Sequence, residues 1–294
     1  MTVTATRLEE ALQSSSTREW MKAARAWRIA AAASPGAIAN AFLGEALAHV
    51  GEGDAAWKLY AELPPALLHH PQFDRIVEIV MEAKDYAGEP LPPAETREAG
   101  RALIEQRRYA DAIAFWEEAF AAELYGGEPA LRLAEIYSAL GEYKRAIHFV
   151  ENAALGPYAA RVLSLREPAQ KGLERAKKYR FKGYLQTNHR IVHIVAEAIA
   201  EPTPARMELI VSWCSLTGDW SPFFSAFAEA PELNAEELLS ELPQNQLEEL
   251  DSYLSGRAEP LAIEGRSLRR AAAALLKLSR FESVELLYEK SHTR

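Results

Sequence analysis

Two stretches of this chain repeat each other at a fixed distance, and that register constrains the fold more than any other feature. Gly100, Leu103, Tyr109, Ala112, Ile113, Trp116 and Ala119 are followed thirty-four residues later by Ala134, Tyr137, Tyr143, Ala146, Ile147, Val150 and Ala153. The seven positions match in character without a gap. Within each stretch apolar residues recur at three- and four-residue steps, the period of a helix with one buried face. A period of this length holds two short helices and a turn, a unit that buries its apolar face only by stacking on its neighbours. A small residue on the first helix (Gly100, Ala134) lets the second approach closely, and a small residue on the second (Ala112, Ala146) receives it. Bulky neighbours then fill the layer between hairpins.

The rest of the chain reads as helix too. Ala, Leu, Glu and Arg recur throughout, no window alternates with period two, and no Asn-Gly or Asp-Gly turn joins β-rich runs. Gly and Pro fall as punctuation, for example at Pro35-Gly36, Gly51, Pro64-Pro65, Gly126-Gly127 and Pro202. The spacing predicts roughly fourteen to sixteen helices joined by short turns, and hence an all-α chain of antiparallel neighbours.

The 34-residue unit resembles the tetratricopeptide repeat family. Arg108-Tyr109-Ala110-Asp111-Ala112-Ile113 and Gly141-Glu142-Tyr143-Lys144-Arg145-Ala146-Ile147 look like that family's inter-helix turn and the start of its second helix. Its terminal proline is missing at Leu124 and stands one residue early as Pro157. The resemblance implies a right-handed superhelical solenoid of antiparallel hairpins, irregular toward the C-terminus. Four segments are expected: degenerate hairpins over 1–63, an irregular helical insert over 64–93 with one extra helix around 73–86, two clear hairpins over 94–158, and divergent helical repeats over 159–294.

Net charge is −9, so no global attraction draws the chain to nucleic acid, and such a partner is not expected. No apolar run approaches the length of a membrane span, so no membrane insertion is expected. The single cysteine, Cys214, excludes an intramolecular disulfide, and the first ten residues lack the features of a secretory leader. Together these predict a cytoplasmic protein. No Gly-x-Ser-x-Gly elbow and no Gly-rich phosphate loop occurs, so no catalytic residue and no cofactor is assigned.

Three sets of residues invite a functional reading. In the repeat family the first helices of each hairpin line a concave groove that holds an extended peptide or a partner helix. By position this puts Arg97, Arg101 and Glu105 from one unit, and Arg132 and Glu135 from the next, on a partner-binding face. Two arginines at i and i+4 can grip a carboxylate or phosphate by forked hydrogen bonds, or simply pair with acids such as Glu98 on a solvated face. The family's carboxylate-clamp pattern is absent, since Ala41 and Glu45 occupy the equivalent places. The second set lies in residues 171–190, where seven basic residues meet one acid, Glu174. There Arg175, Lys178, Tyr179 and Lys182 share a stripe that could take an anion or could flank a helix paired with the acidic remainder. The third set, His189, His193 and Glu197, has metal-ligand spacing on a helix, but Arg190 stands where a zinc peptidase carries its base, so no metal is assigned.

The expected function is a helical-repeat scaffold that binds a protein or peptide partner, with self-association through a terminal hairpin as a side expectation. The alternative is the non-catalytic, repeat-like region of a larger bacterial enzyme such as a polymer-synthesis transferase, its basic segment contacting an anionic substrate.

Overall fold

The computed structural model describes residues 3–68, 70–71, 73–87, 96–152, 158–178, 190–229, 234–256, 261 and 265–291. All regular structure in them is helical. In chain order the helices are α1 (Val3–Thr17), α2 (Trp20–Ala33), α3 (Ala37–His49), α4 (Gly53–Ala61), α5 (Pro65–Leu68), α6 (Asp74–Ala87), α7 (Arg97–Glu105), α8 (Tyr109–Ala121), α9 (Glu128–Ala139) and α10 (Tyr143–Glu151). They continue with α11 (Ala159–Ser164), α12 (Arg166–Lys178), α13 (Arg190–Ala200), α14 (Pro204–Thr217), α15 (Ser221–Glu229), α16 (Ala235–Ser240), α17 (Gln244–Gly256), α18 (Gly265–Lys277) and α19 (Phe281–Ser291). The all-α class expected from the sequence is therefore present. Nineteen helices stand among the described residues. The excess over the expected number is carried by α5, α11 and α16, each too short for periodicity to register. No helix in the described residues is long and apolar enough to cross a membrane.

The chain forms two compact units. Residues 1–33, 40–63 and 73–189 make the first, and residues 34–39, 64–72 and 190–294 the second. The expected insert is thus divided: α5 belongs to the second unit, α6 packs on α4 in the first, and residues 88–93 lie outside the described residues.

One turn recurs between consecutive helices. At the ends of α1, α3, α7, α9 and α18 a residue adopts a left-handed backbone: Arg18, Gly51, Arg107, Gly141 and Ser279, with φ of 60°, 88°, 55°, 74° and 60°. In each case the next N–H reaches back five residues: Glu19 to the Ser14 carbonyl, Glu52 to Leu47, Arg108 to Leu103, Glu142 to Tyr137 and Arg280 to Leu275, at 2.8–2.9 Å. This bond satisfies a carbonyl that the helix end leaves without a partner and reverses the chain within three residues. Glycine fits the left-handed position, whereas a residue with a Cβ is strained there. Ser279 is exposed, so Ser279→Gly is expected to stabilise the second unit by about 1 kcal/mol. A rise in the midpoint of urea unfolding checks it; a fall would mean that the hydroxyl does more than tolerate the turn.

The close approach expected at the small residues is present in the first unit. A Cβ on Gly100 would overlap the Phe115 ring, and the Trp116 indole, fully buried, donates to the Gly100 carbonyl at 3.0 Å. Gly44 receives the Tyr60 ring in the same way, and Gly172 on α12 receives Tyr143 of α10. Ala112, Ala134 and Ala146 are fully buried. Successive hairpins also meet others that are not their chain neighbours. The α1–α2 turn abuts the α9–α10 turn: the Trp20 N–H donates to the Leu140 carbonyl at 2.8 Å, and the Tyr143 hydroxyl to Thr17 O at 3.1 Å. A Cβ on Gly141 would collide there with the Arg18 carbonyl, as one on Gly51 would with that of Arg107. A plain stacked array makes contacts between adjacent repeats only; the first unit ties its first hairpin to α9–α10 as well.

The second unit packs around aromatic side chains on α15 and around Trp220 just before it. Trp220, Phe223, Phe224 and Phe227 are buried with Cys214, Leu250, Leu254 and Leu275. Burial pushes the Cys214 thiol well above its ordinary value, so it is a packing group and not a thiolate. Residues 34–39 are fastened to α14 through hydroxyls. Ser34 Oγ donates to the Ser215 carbonyl at 2.9 Å, the Ile38 N–H to Ser212 Oγ at 3.2 Å, and Ser215 Oγ to Glu249 at 2.7 Å.

Candidate functional site

A buried carboxylate gathers the arginines that the sequence placed on one face. Helix α7 is capped by Thr96, whose side chain accepts from the Ala99 N–H, and it buries Ala99, Gly100 and Leu103. The spacing leaves Arg97 and Arg101 on another side, one turn apart. Helix α9 begins at Glu128, followed by Pro129, and is buried along most of its length. The side chain of Glu128 is fully buried at that helix N-terminus, where the backbone dipole favours negative charge.

Three guanidiniums converge on it. Arg101 binds in a fork, Nε to Oε1 at 2.8 Å and Nη2 to Oε2 at 3.1 Å. Arg97 Nε donates to Oε2, and its Nη2 meets the Tyr158 hydroxyl at 2.5 Å. Arg132, one turn further along α9, donates from Nε and Nη2 to Oε1, each at 3.2 Å. Arg132 Nη1 also reaches Glu135 at 2.9 Å, and Glu135 in turn pairs with Arg161 at 2.7 Å. Burial alone raises the Glu128 carboxyl, but hydrogen bonds from Arg101, Arg97 and Arg132 outweigh it and hold the group below the ordinary carboxylate range. The bond to Glu128 likewise raises Arg101. Glu98 acts on Arg101 only through space.

Four of the five residues expected on the partner-binding face, Arg97, Arg101, Arg132 and Glu135, are therefore joined in one network. Glu105, exposed at the end of α7, lies outside it. Neither Glu128, which organises the cluster, nor Tyr158 and Arg161 were expected there. A signal for Glu128 exists in the sequence: an acid opening a helix, followed by the apolar run Pro129-Ala130-Leu131, with Arg132 at i+4. Nothing local marks its long-range partners.

The basic segment fares differently. On α12, Ala169, Gly172 and Ala176 are buried, while Lys171 and Arg175 are exposed and Lys171 pairs with Glu167 at 2.5 Å. Tyr179, Lys182 and the Lys178 side chain lie outside the described residues, so only Arg175 of the expected anion stripe can be placed. His189 of the third set also lies outside them. His193 is exposed, and Glu197 meets His70 at 3.0 Å. Among the described residues no group of three His, Cys, Asp or Glu could hold a metal ion.

No protein-family model matches this chain, and neither a curated protein nor a solved structure matches it.

Proposed function

We propose that the chain is a helical-repeat scaffold that holds a protein or peptide partner, in the manner of the tetratricopeptide-like hairpins its sequence resembles. The observation that carries this reading is the recurrence of one helix–turn–helix unit, with a left-handed residue and the same five-residue return bond at five tight turns among the described residues. Such units present a succession of helix faces on a rigid frame, which suits binding better than bond-making. The face that the reading selects is that of Arg97, Arg101, Arg132 and Glu135, and it carries charge on preorganised side chains.

The test is selection from a random-peptide display library against the folded chain, followed by calorimetry. The scaffold reading predicts peptides that converge on a common pattern and bind one-to-one with Kd of about 1 μM or tighter, a usual range for such recognition. Peptides that share no pattern, or that bind the heat-unfolded chain equally well, would sink it.

A further inference from the structure

We infer that the Glu128-centred cluster is an oxyanion receptor: the partner is recognised through a phosphate or carboxylate group placed on the outer guanidiniums. This deepens the scaffold reading and rests on it.

Charge is the first ground. Among the described residues four guanidiniums, of Arg97, Arg101, Arg132 and Arg161, are in contact with only two carboxylates, those of Glu128 and Glu135. Adding Glu98, which touches none of them but lies within electrostatic reach of Arg101, still leaves a positive surplus among the described residues. Donor capacity is the second. Each guanidinium carries five N–H groups. Glu128 takes bonds from Nε of Arg97, from Nε and Nη2 of Arg101 and from Nε and Nη2 of Arg132. Among the described residues no acceptor meets Nη1 of Arg97, Nη1 of Arg101, or Nε and Nη1 of Arg161. Access is the third. The Arg97 and Arg101 side chains are 33% and 36% exposed and that of Arg161 62%, whereas Glu128 is sealed from water.

The division of labour follows. The buried carboxylate fixes the inner edges of three guanidiniums, so little side-chain freedom remains to be lost when an anion arrives. The outer edges keep charge-bearing donors in planar forks, the geometry that matches phosphate and carboxylate oxygens. A buried acid that serves only to cancel charge needs one partner; this one has three, and they remain partly in water.

The experiment uses the whole chain. Its thermal midpoint is followed during titration with inorganic phosphate, and separately with acetate, each against sodium chloride at equal ionic strength. Wild type is compared with Arg161→Gln, an exposed change that removes one ion pair, and with Arg25→Gln, an exposed arginine of α2 outside the cluster. Saturable stabilisation by phosphate or by acetate is expected, and which anion acts tells phosphate from carboxylate recognition. Half-saturation should move about fivefold higher in Arg161→Gln, the effect of losing one charge-assisted contact, and stay fixed in Arg25→Gln. A response that only follows ionic strength, or that is the same in all three proteins, overturns the inference. The two readings fail separately. Selected peptides whose affinity ignores Arg161→Gln leave the scaffold and remove the receptor; a saturable anion response in a chain that selects no convergent peptide does the reverse.

Discussion

Glu128→Ala is expected to destabilise the first unit by about 3 kcal/mol, the low end of what removing one partner of a buried ion pair does when the other partners keep some water. The side chain is fully buried and receives five hydrogen bonds from three arginines. Removing it leaves three like charges facing each other with nothing between them. Urea unfolding should show a lower midpoint at unchanged slope. Glu128→Gln keeps an acceptor and the volume and should lose less. The same group makes stability depend on pH. Its folded carboxyl lies below its ordinary value. Its contribution is therefore complete above the unfolded value of about 4.3 and is lost as pH falls through the folded one. The difference between wild type and Glu128→Gln should accordingly shrink in acid. A difference that grows in acid would mean that the carboxyl is protonated in the fold.

Gly141→Val is expected to have the larger structural effect, about 2–5 kcal/mol. Two penalties combine. A β-branched residue at φ 74° is strained, at about 1–2 kcal/mol. Its side chain must also enter space held by the Arg18 carbonyl and the Glu19 backbone, an overpacking that costs about 1–3 kcal/mol. The contact at risk is the seam where Trp20 N–H meets the Leu140 carbonyl, so α1 and α2 should exchange amide hydrogens faster in the variant. Gly126 provides the control. Its φ is 63°, but nothing stands within 4 Å of a Cβ there. Gly126→Val should show the backbone penalty alone. Equal losses at the two positions would mean that the seam contributes nothing.

What could be read in the sequence was local. The 34-residue register marked Gly100, Ala112, Trp116, Ala134 and Ala146 as packing positions, and all five are buried. Periodicity marked a helix near 73–86, and α6 runs Asp74–Ala87. The same period could not find α5, α11 or α16, which complete fewer than two turns. Nor could it show that 34–39 and 64–72 join residues 190–294, because Ser34 meets Ser215 across 181 positions of chain. The arginine face was legible for a related reason: Arg97 and Arg101 stand one helical turn apart. Its buried counter-charge was not. Glu128 is one acid among 42, and the bonds that single it out span 27 and 31 residues. Helix position gives a side chain its direction, whereas an ion pair between helices depends on how those helices pack.

The most direct test of a partner held at this cluster follows the arginine side-chain N–H signals by NMR while a selected peptide is titrated into the folded chain. The signals of Arg97, Arg101 and Arg161 should shift saturably, at the same midpoint that calorimetry gives, and Arg25 should stay in place. Calorimetric binding with those three signals unmoved would contradict a partner site at the Glu128 cluster and send the search to another face.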